Sequence, residues 1–221
     1  MERRLPAAVL WDMDGTLVDT EPFWFEGEHA LAEECGGEWT HEDALNLVGN
    51  DMVVSGAYMR DKWGLSFSAT EMVDKLHDKV VASIAAADEL PWRPGALELL
   101  ESLNVAGIPC ALVTMSWDVM ALPIVARLPR GRFDAVITGD KVVRGKPHPD
   151  PYLEGAAALG VRAGDCIAIE DSNTGATSAE AAGCTVITVE NHVLLAGGLR
   201  RIPEPTLVGL TVERLGELLL D

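Results

Sequence analysis

The feature that most constrains this chain is a recurring alternation of short apolar runs with helical patterns. The runs AAVLW (7–11), PCALV (109–113), DAVIT (134–138), CIAI (166–169) and CTVITV (184–189) are rich in Val, Ile and Ala. They lack the every-second-residue polarity of a half-exposed strand, so they predict strands covered on both faces. Between them lie helical stretches at 95–107, 151–160 and 174–183, the last two ending at glycines suited to a helix C-terminus. Such alternation predicts an α/β fold with a parallel sheet flanked by helices.

One interval breaks the rhythm. Residues 18–90 offer no strand but carry amphipathic helical patterns around 22–35, 51–63 and 70–87. This is too long for an ordinary strand-to-helix connection, so a helical subdomain inserted after the first strand is expected. The expected division is a core of 1–17 and 91–221 and an insert of 18–90. Residues 88–94 form its return linker, where Pro91 and Pro94 discourage a helix. A chain of 221 residues can bury a sizeable core without staples. Its four cysteines are scattered, with no CxxC and no zinc-finger spacing, which argues against disulfides and structural zinc and for a reducing cytoplasm. No signal peptide is read at the N-terminus, and no run of about 18 apolar residues is long enough for a membrane span.

Charge excludes one class of partner. With 17 Lys+Arg against 35 Asp+Glu, the formal charge of -18 repels a polyanion, and no basic stripe offsets it. Nucleic acid is not expected. A small anion remains compatible, because one lysine and a bound metal reverse the potential locally.

Ligands of open parallel sheets bind at the carboxyl ends of the strands. There stand Asp12-Met13-Asp14-Gly15-Thr16, Thr114-Met115-Ser116, Lys146 in a Gly-Lys-Pro loop, and Glu170-Asp171-Ser172. Each has a bland reading. An isolated DxD is more often a turn with a helix cap, Thr114 a cap, Lys146 a solvated loop residue, and Glu170-Asp171 helix-start acids. Together they supply what phosphoryl transfer requires: an oxygen nucleophile, oxygen ligands for a divalent cation, donors for phosphoryl oxygens and an acid for the leaving group.

In order and spelling these pieces resemble the haloacid dehalogenase superfamily. Asp12-Met-Asp14-Gly-Thr-Leu-Val is similar to its first motif, Thr114 to the second, Lys146-Pro147 to the third, and Glu170-Asp171-Ser172 with Gly175 to the fourth. The resemblance implies a Rossmann-like core with an α-helical cap after strand one. It implies that Asp12 attacks phosphorus and that Asp14 protonates the leaving oxygen and later activates water. It further implies Mg²⁺ held by Asp12, Asp14 (through its carbonyl) and Asp171, with Glu170 close by or ligating. Thr114, the backbone N–H of Met115 and Lys146 would hold the phosphoryl oxygens. The cap resembles that of phosphatases acting on small phosphorylated metabolites, sugar phosphates above all, and Glu21, Trp24, Gly49, Asn50 and Asp51 are its candidate substrate contacts.

A β-phosphoglucomutase-type isomerase shares all four motifs. Those enzymes carry a histidine where Trp24 stands and an arginine shortly after the cap glycine, and Gly49-Asn50-Asp51-Met52 offers none. That departure favours hydrolysis, as does the string Asp19-Thr20-Glu21-Pro22-Phe23-Trp24, which looks like the sugar-phosphate phosphatases. A silent phosphate-binding protein of the same fold would be expected to have lost one of Asp12, Asp14, Lys146 or Asp171. Receiver-type signalling domains lack the helical insert. EF-hand and Walker A readings fail on spacing, with Leu17 at the turn-glycine position and Pro147 after the lysine, and no GxGxxG follows the first strand.

Overall fold

The computed structural model describes residues 5–47 and 52–220. Strands β1 (Val9–Trp11), β2 (Cys110–Val113), β3 (Ala135–Ile137), β4 (Ile167–Glu170), β5 (Thr185–Thr188) and β6 (Arg201–Pro203) form one sheet. Its order is β3-β2-β1-β4-β5-β6, and every pairing is parallel. The five expected strands are present. The edge strand β6 was not expected.

Both sheet faces are apolar, which explains the unbroken runs. Val9, Trp11, Leu112, Ile167 and Ile169 face a cluster with Leu99, Leu100 and Leu103 of α5 (Ala96–Val105). Alternate residues Ala8, Leu10, Ala111, Val113 and Ala168 face α7 (Asp150–Ala158) and α8 (Asn173–Ala181). Large side chains line the first face and alanines the second, so α7 and α8 sit close on the sheet. Helices α6 (Asp118–Ala126) and α9 (Val212–Leu218) complete the core.

Ahead of α5, four described helices follow β1: α1 (Glu21–Cys35), α2 (His41–Leu45), α3 (Met52–Trp63) and α4 (Ala69–Ala86). Helix α2 is an addition to the three helical patterns read from sequence. It is five residues long and starts at a capping box in which Thr40 and Asp43 bond reciprocally. Helix α4 packs against both α1 and α3. The chain's two passages between these helices and the sheet run together. Val18 bridges Trp92 in antiparallel fashion, Asp19 N–H donates to the Pro91 carbonyl (2.9 Å), and Arg93 N–H donates to the Leu17 carbonyl (2.9 Å).

Strand order reverses at β1, whose neighbours β2 and β4 run on to opposite edges. A crevice therefore opens at the carboxyl ends of β1, β2 and β4, where the expected site residues stand.

Candidate active site

The residues after β1 make a tight turn in which Thr16, Leu17 and Val18 N–H groups all point to the Met13 carbonyl. Gly15 takes a φ of 84°, and a Cβ there would lie 2.0 Å from Asp171 Oδ2. Only glycine lets the β1 loop and the β4 loop approach so closely. The turn leaves the Asp12 and Asp14 side chains in different surroundings.

Asp12 shares a buried cation with Glu170. Lys146 Nζ donates to Asp12 Oδ1 and to Glu170 Oε1, each at 2.7 Å, and its side chain is 4% exposed. Glu170 is otherwise satisfied: Tyr152 Oη donates to Oε1 at 2.6 Å and Ser172 Oγ to Oε2 at 3.0 Å. A Cβ on Gly175 would collide with this carboxylate, so the first turn of α8 is also built around it. Among the described residues, Asp171 accepts one long side-chain bond, from Thr16 Oγ1 at 3.4 Å. Asp12 Oδ2 is buried with no partner among the described residues.

Asp14 stands apart from this group. Its Oδ1 accepts from Thr20 Oγ1 at 2.6 Å, and its Oδ2 from Thr114 Oγ1 at 3.0 Å and Ser116 Oγ at 2.8 Å. Thr20 is the N-cap residue of α1 but makes no side-chain cap bond, since its hydroxyl is given to Asp14. Met115 lines the same cavity, and its Sδ accepts from Lys146 N–H at 3.3 Å.

Electrostatics identify what these residues lack. Burial, then repulsion by Glu170, raises the Asp12 carboxyl to about 7 although Lys146 opposes the rise. Burial and the neighbouring Asp12 and Glu170 raise Asp171 to about 9. Burial works against the Lys146 ammonium, but Asp12 and Glu170 outweigh it and hold its pKa above the ordinary lysine value. One lysine does not balance three buried acids. Oxygens of Asp12, Glu170 and Asp171 lie within 4.8 Å of one another, a hard-oxygen set that fits a divalent cation. The Glu170 oxygens are already bonded to Lys146, Tyr152 and Ser172, which leaves Asp12 Oδ2 and Asp171 as the oxygens most in need of such an ion. The Asp14 carboxylate is not in that cluster.

Helix α1 lays Glu21, Trp24 and Glu28 on one face, three and four residues apart, and all three line the cavity above Asp12. Trp24 is buried and packs at 5.9 Å on the ring of His77, which in turn meets Trp117 at 5.0 Å. Burial raises Glu21 and Glu28 each to about 7. Gly49, Asn50 and Asp51, the remaining expected contacts, lie outside the described residues. Sequence reasoning assigned no role to Thr20, Glu28, Ser116 or Tyr152. Helical spacing from Trp24 could have found Glu28, and Ser116 and Thr20 adjoin motif residues, but Tyr152 carried no signal.

Residues 9–189 match the haloacid dehalogenase-like hydrolase family. The chain belongs to that family. It is 34% identical over 198 residues to the plasmid protein CbbY of Cupriavidus necator, covering 82% of this chain and 77% of that one. It is 32% identical over 194 residues to hexitol phosphatase A of Escherichia coli, covering 81% of each. Among solved structures, CbbY of Rhodobacter sphaeroides in complex with phosphate superposes with a TM-score of 0.77 at 25% identity, over 93% of this chain and 96% of that one. A β-phosphoglucomutase of Clostridium difficile has a TM-score of 0.80 at 22% identity, over 97% of each chain, and shares the fold. This hydrolase contains no helix among its described residues that is long and apolar enough to cross a membrane.

Proposed function

We propose that this hydrolase is a Mg²⁺-dependent phosphatase that removes the phosphoryl group of a small metabolite, a sugar phosphate above all, through an aspartyl phosphate on Asp12. The carrying observation is that Lys146 bonds both Asp12 Oδ1 and Glu170 while Asp12 Oδ2 is buried and unpartnered. A nucleophile raised to about 7 needs a second cation to be fully ionised at neutral pH. Mg²⁺ held by Asp12 and Asp171, with the Asp14 carbonyl and nearby Glu170 as the resemblance implies, would supply that charge and screen the phosphoryl oxygens.

The residues then divide the work. Lys146 and the Thr114 hydroxyl would turn from their present partners to phosphoryl oxygens, with the Met115 N–H as a further donor. Asp12 Oδ bonds phosphorus as the ester oxygen leaves, and a protonated Asp14 gives that oxygen its proton. Asp14, now ionised, takes a proton from the water that cleaves the acyl phosphate. Inorganic phosphate leaves and Asp12 is restored. Thr20 and Ser116 hold the Asp14 carboxylate at the turn it must occupy in both steps, while Thr114 is given to the phosphate.

Hydrolysis is favoured over isomerisation by what surrounds Asp14. Its described partners are three hydroxyls, with no imidazole among them. We assign residues 18–90 as a cap over the site, because Glu21, Trp24 and Glu28 face Asp12 across one cavity. A closing cap excludes water and sets specificity. The relatives named as hexitol phosphatase and phosphorylated carbohydrates phosphatase support a sugar or polyol phosphate.

The test is incubation with Mg²⁺ and a panel of hexose and hexitol phosphates, reading free phosphate and isomerised product together. Phosphate release that falls by at least about 10³ in Asp12→Asn is expected. Conversion of glucose 1-phosphate to glucose 6-phosphate with little release would reverse the assignment.

A further inference from the structure

The cavity above Asp12 has two unlike walls. The phosphate side holds Lys146, and among the described lining residues it is the only lysine or arginine. Its ammonium is already shared by Asp12 and Glu170. Residues 48–51, outside the described set, contain no lysine or arginine either. His192 at the cavity is paired with Asp19 at 3.1 Å.

The opposite wall carries Glu21, Glu28 and Ser55 between apolar Trp24, Leu47 and Leu76. Glu28 is 4% exposed, and its Oε2 accepts from Trp39 Nε1 at 3.0 Å. Its Oε1 has no protein donor among the described residues. Ser55 is 2% exposed, lines the same cavity, and its Oγ has no partner among the described residues. A buried hydroxyl left unpaired is unfavourable unless a ligand completes it. Glu21 and Glu28, both desolvated, gain from hydrogen-bond donors and lose if a second anion is brought beside them.

We infer that this far wall selects the uncharged, polyhydroxylated end of a phosphate monoester, with Glu28 accepting from a substrate hydroxyl and Ser55 bonding a second, and that it rejects ligands bearing a second phosphate. The inference rests on the phosphatase reading and deepens it. A neutral polyol presents hydroxyls that can accept from Ser55 and donate to Glu28. A second phosphate has no donor charge to meet it and faces two carboxylates at short range. A site of buried polar groups discriminates strongly against ligands that leave them unmatched.

The experiment compares a hexitol monophosphate, the matching hexitol 1,6-bisphosphate and phenyl phosphate. The wild-type enzyme is expected to favour the monophosphate over the bisphosphate by at least about 10² in kcat/KM. Glu28→Gln keeps an acceptor for Trp39 but removes the charge. It should lower the hexitol-to-phenyl ratio of kcat/KM by about tenfold, through KM, and narrow discrimination against the bisphosphate by a similar factor. Ser55→Ala should raise KM for the hexitol phosphate by roughly three- to tenfold. Equal use of bisphosphate and monophosphate by the wild type overturns the inference, and so does an equal loss on hexitol and phenyl phosphates in Glu28→Gln. Absence of phosphate release from any substrate would count against the proposed activity instead. In that case calorimetric binding of the two hexitol ligands to Asp12→Asn with Mg²⁺ still reads the wall, and equal affinities reject it.

Discussion

Three hydroxyls from two separate stretches of chain converge on Asp14, and that convergence decides how much freedom its proton has. Ser116 Oγ, buried and 2.8 Å from Asp14 Oδ2, is the contact with no second task, since Thr114 also serves the phosphate and Thr20 starts α1. Hydrogen bonds to an ionised acceptor contribute about 1.5–3 kcal/mol. Ser116→Ala should therefore lower kcat about tenfold or more with KM nearly unchanged, read from phosphate release against substrate concentration. A change confined to KM would show that Ser116 holds substrate and not the carboxylate. Asp12, Asp14, Lys146 and Asp171 were legible because backbone topology alone brings strand ends together. Tyr152 and Ser55 were not: each reaches the site by the rotation of a helix about its axis, which no short string encodes. Met115 was expected through its backbone, yet its sulfur also receives the Lys146 N–H.

At the scale of elements, one side chain ties the end of α4 in the insert to α6 of the core. Arg127, at the C-terminal end of α6, donates to the carbonyls of Ile84 (2.7 Å), Ala87 (2.8 Å) and Asp88 (2.9 Å). These close the end of α4, whose last carbonyls have no partner within the helix. The cation also meets the negative end of the helix dipole. Arg127→Ala should cost about 2–3 kcal/mol and lower Tm by roughly 5–10 °C in a thermal melt, and Arg127→Lys should recover only part, because an ammonium cannot fork over three carbonyls. A Tm within 2 °C of wild type would deny this contact its role. Nothing near Arg127 in the sequence marked it, since its partners lie about 40 residues upstream. The same limit hid β6 and α2. Arg201–Pro203 is an edge strand of three residues without an apolar run, and α2 owes its start to the Thr40–Asp43 box and its length to packing. The five expected strands were visible as apolar runs, and the three longer insert helices because periodicity needs length to show.

Across the whole molecule, the acids gathered in the cavity make stability depend on pH in a direction opposite to that of most carboxylates. Asp12 and Asp171 are 7% and 9% exposed, and their carboxyls are raised to about 7 and about 9 from an ordinary value of 3.8. A folded state that binds protons more tightly than the unfolded chain loses stability as pH rises. The contribution is fully present below about 4 and drains away as pH climbs through those raised values. Acids held below the ordinary range, such as Asp43 bonded by Lys62 and Thr40, finish titrating at lower pH and do not mask the trend. Metal-free protein should therefore melt at least about 5 °C lower at pH 8 than at pH 5.5. A divalent cation supplies the missing counter-charge only where the carboxylates have released their protons, so the rise in Tm on adding Mg²⁺ should be larger at pH 8 than at pH 5.5. Asp171→Asn removes the acid with the largest rise; its metal-free melt at pH 8 should exceed that of wild type, and its response to Mg²⁺ should be lost. Equal Mg²⁺ responses at both pH values, or a wild-type response surviving in Asp171→Asn, would show that the ion does not sit among these carboxylates, and the charge argument for an ionised Asp12 would fail with it.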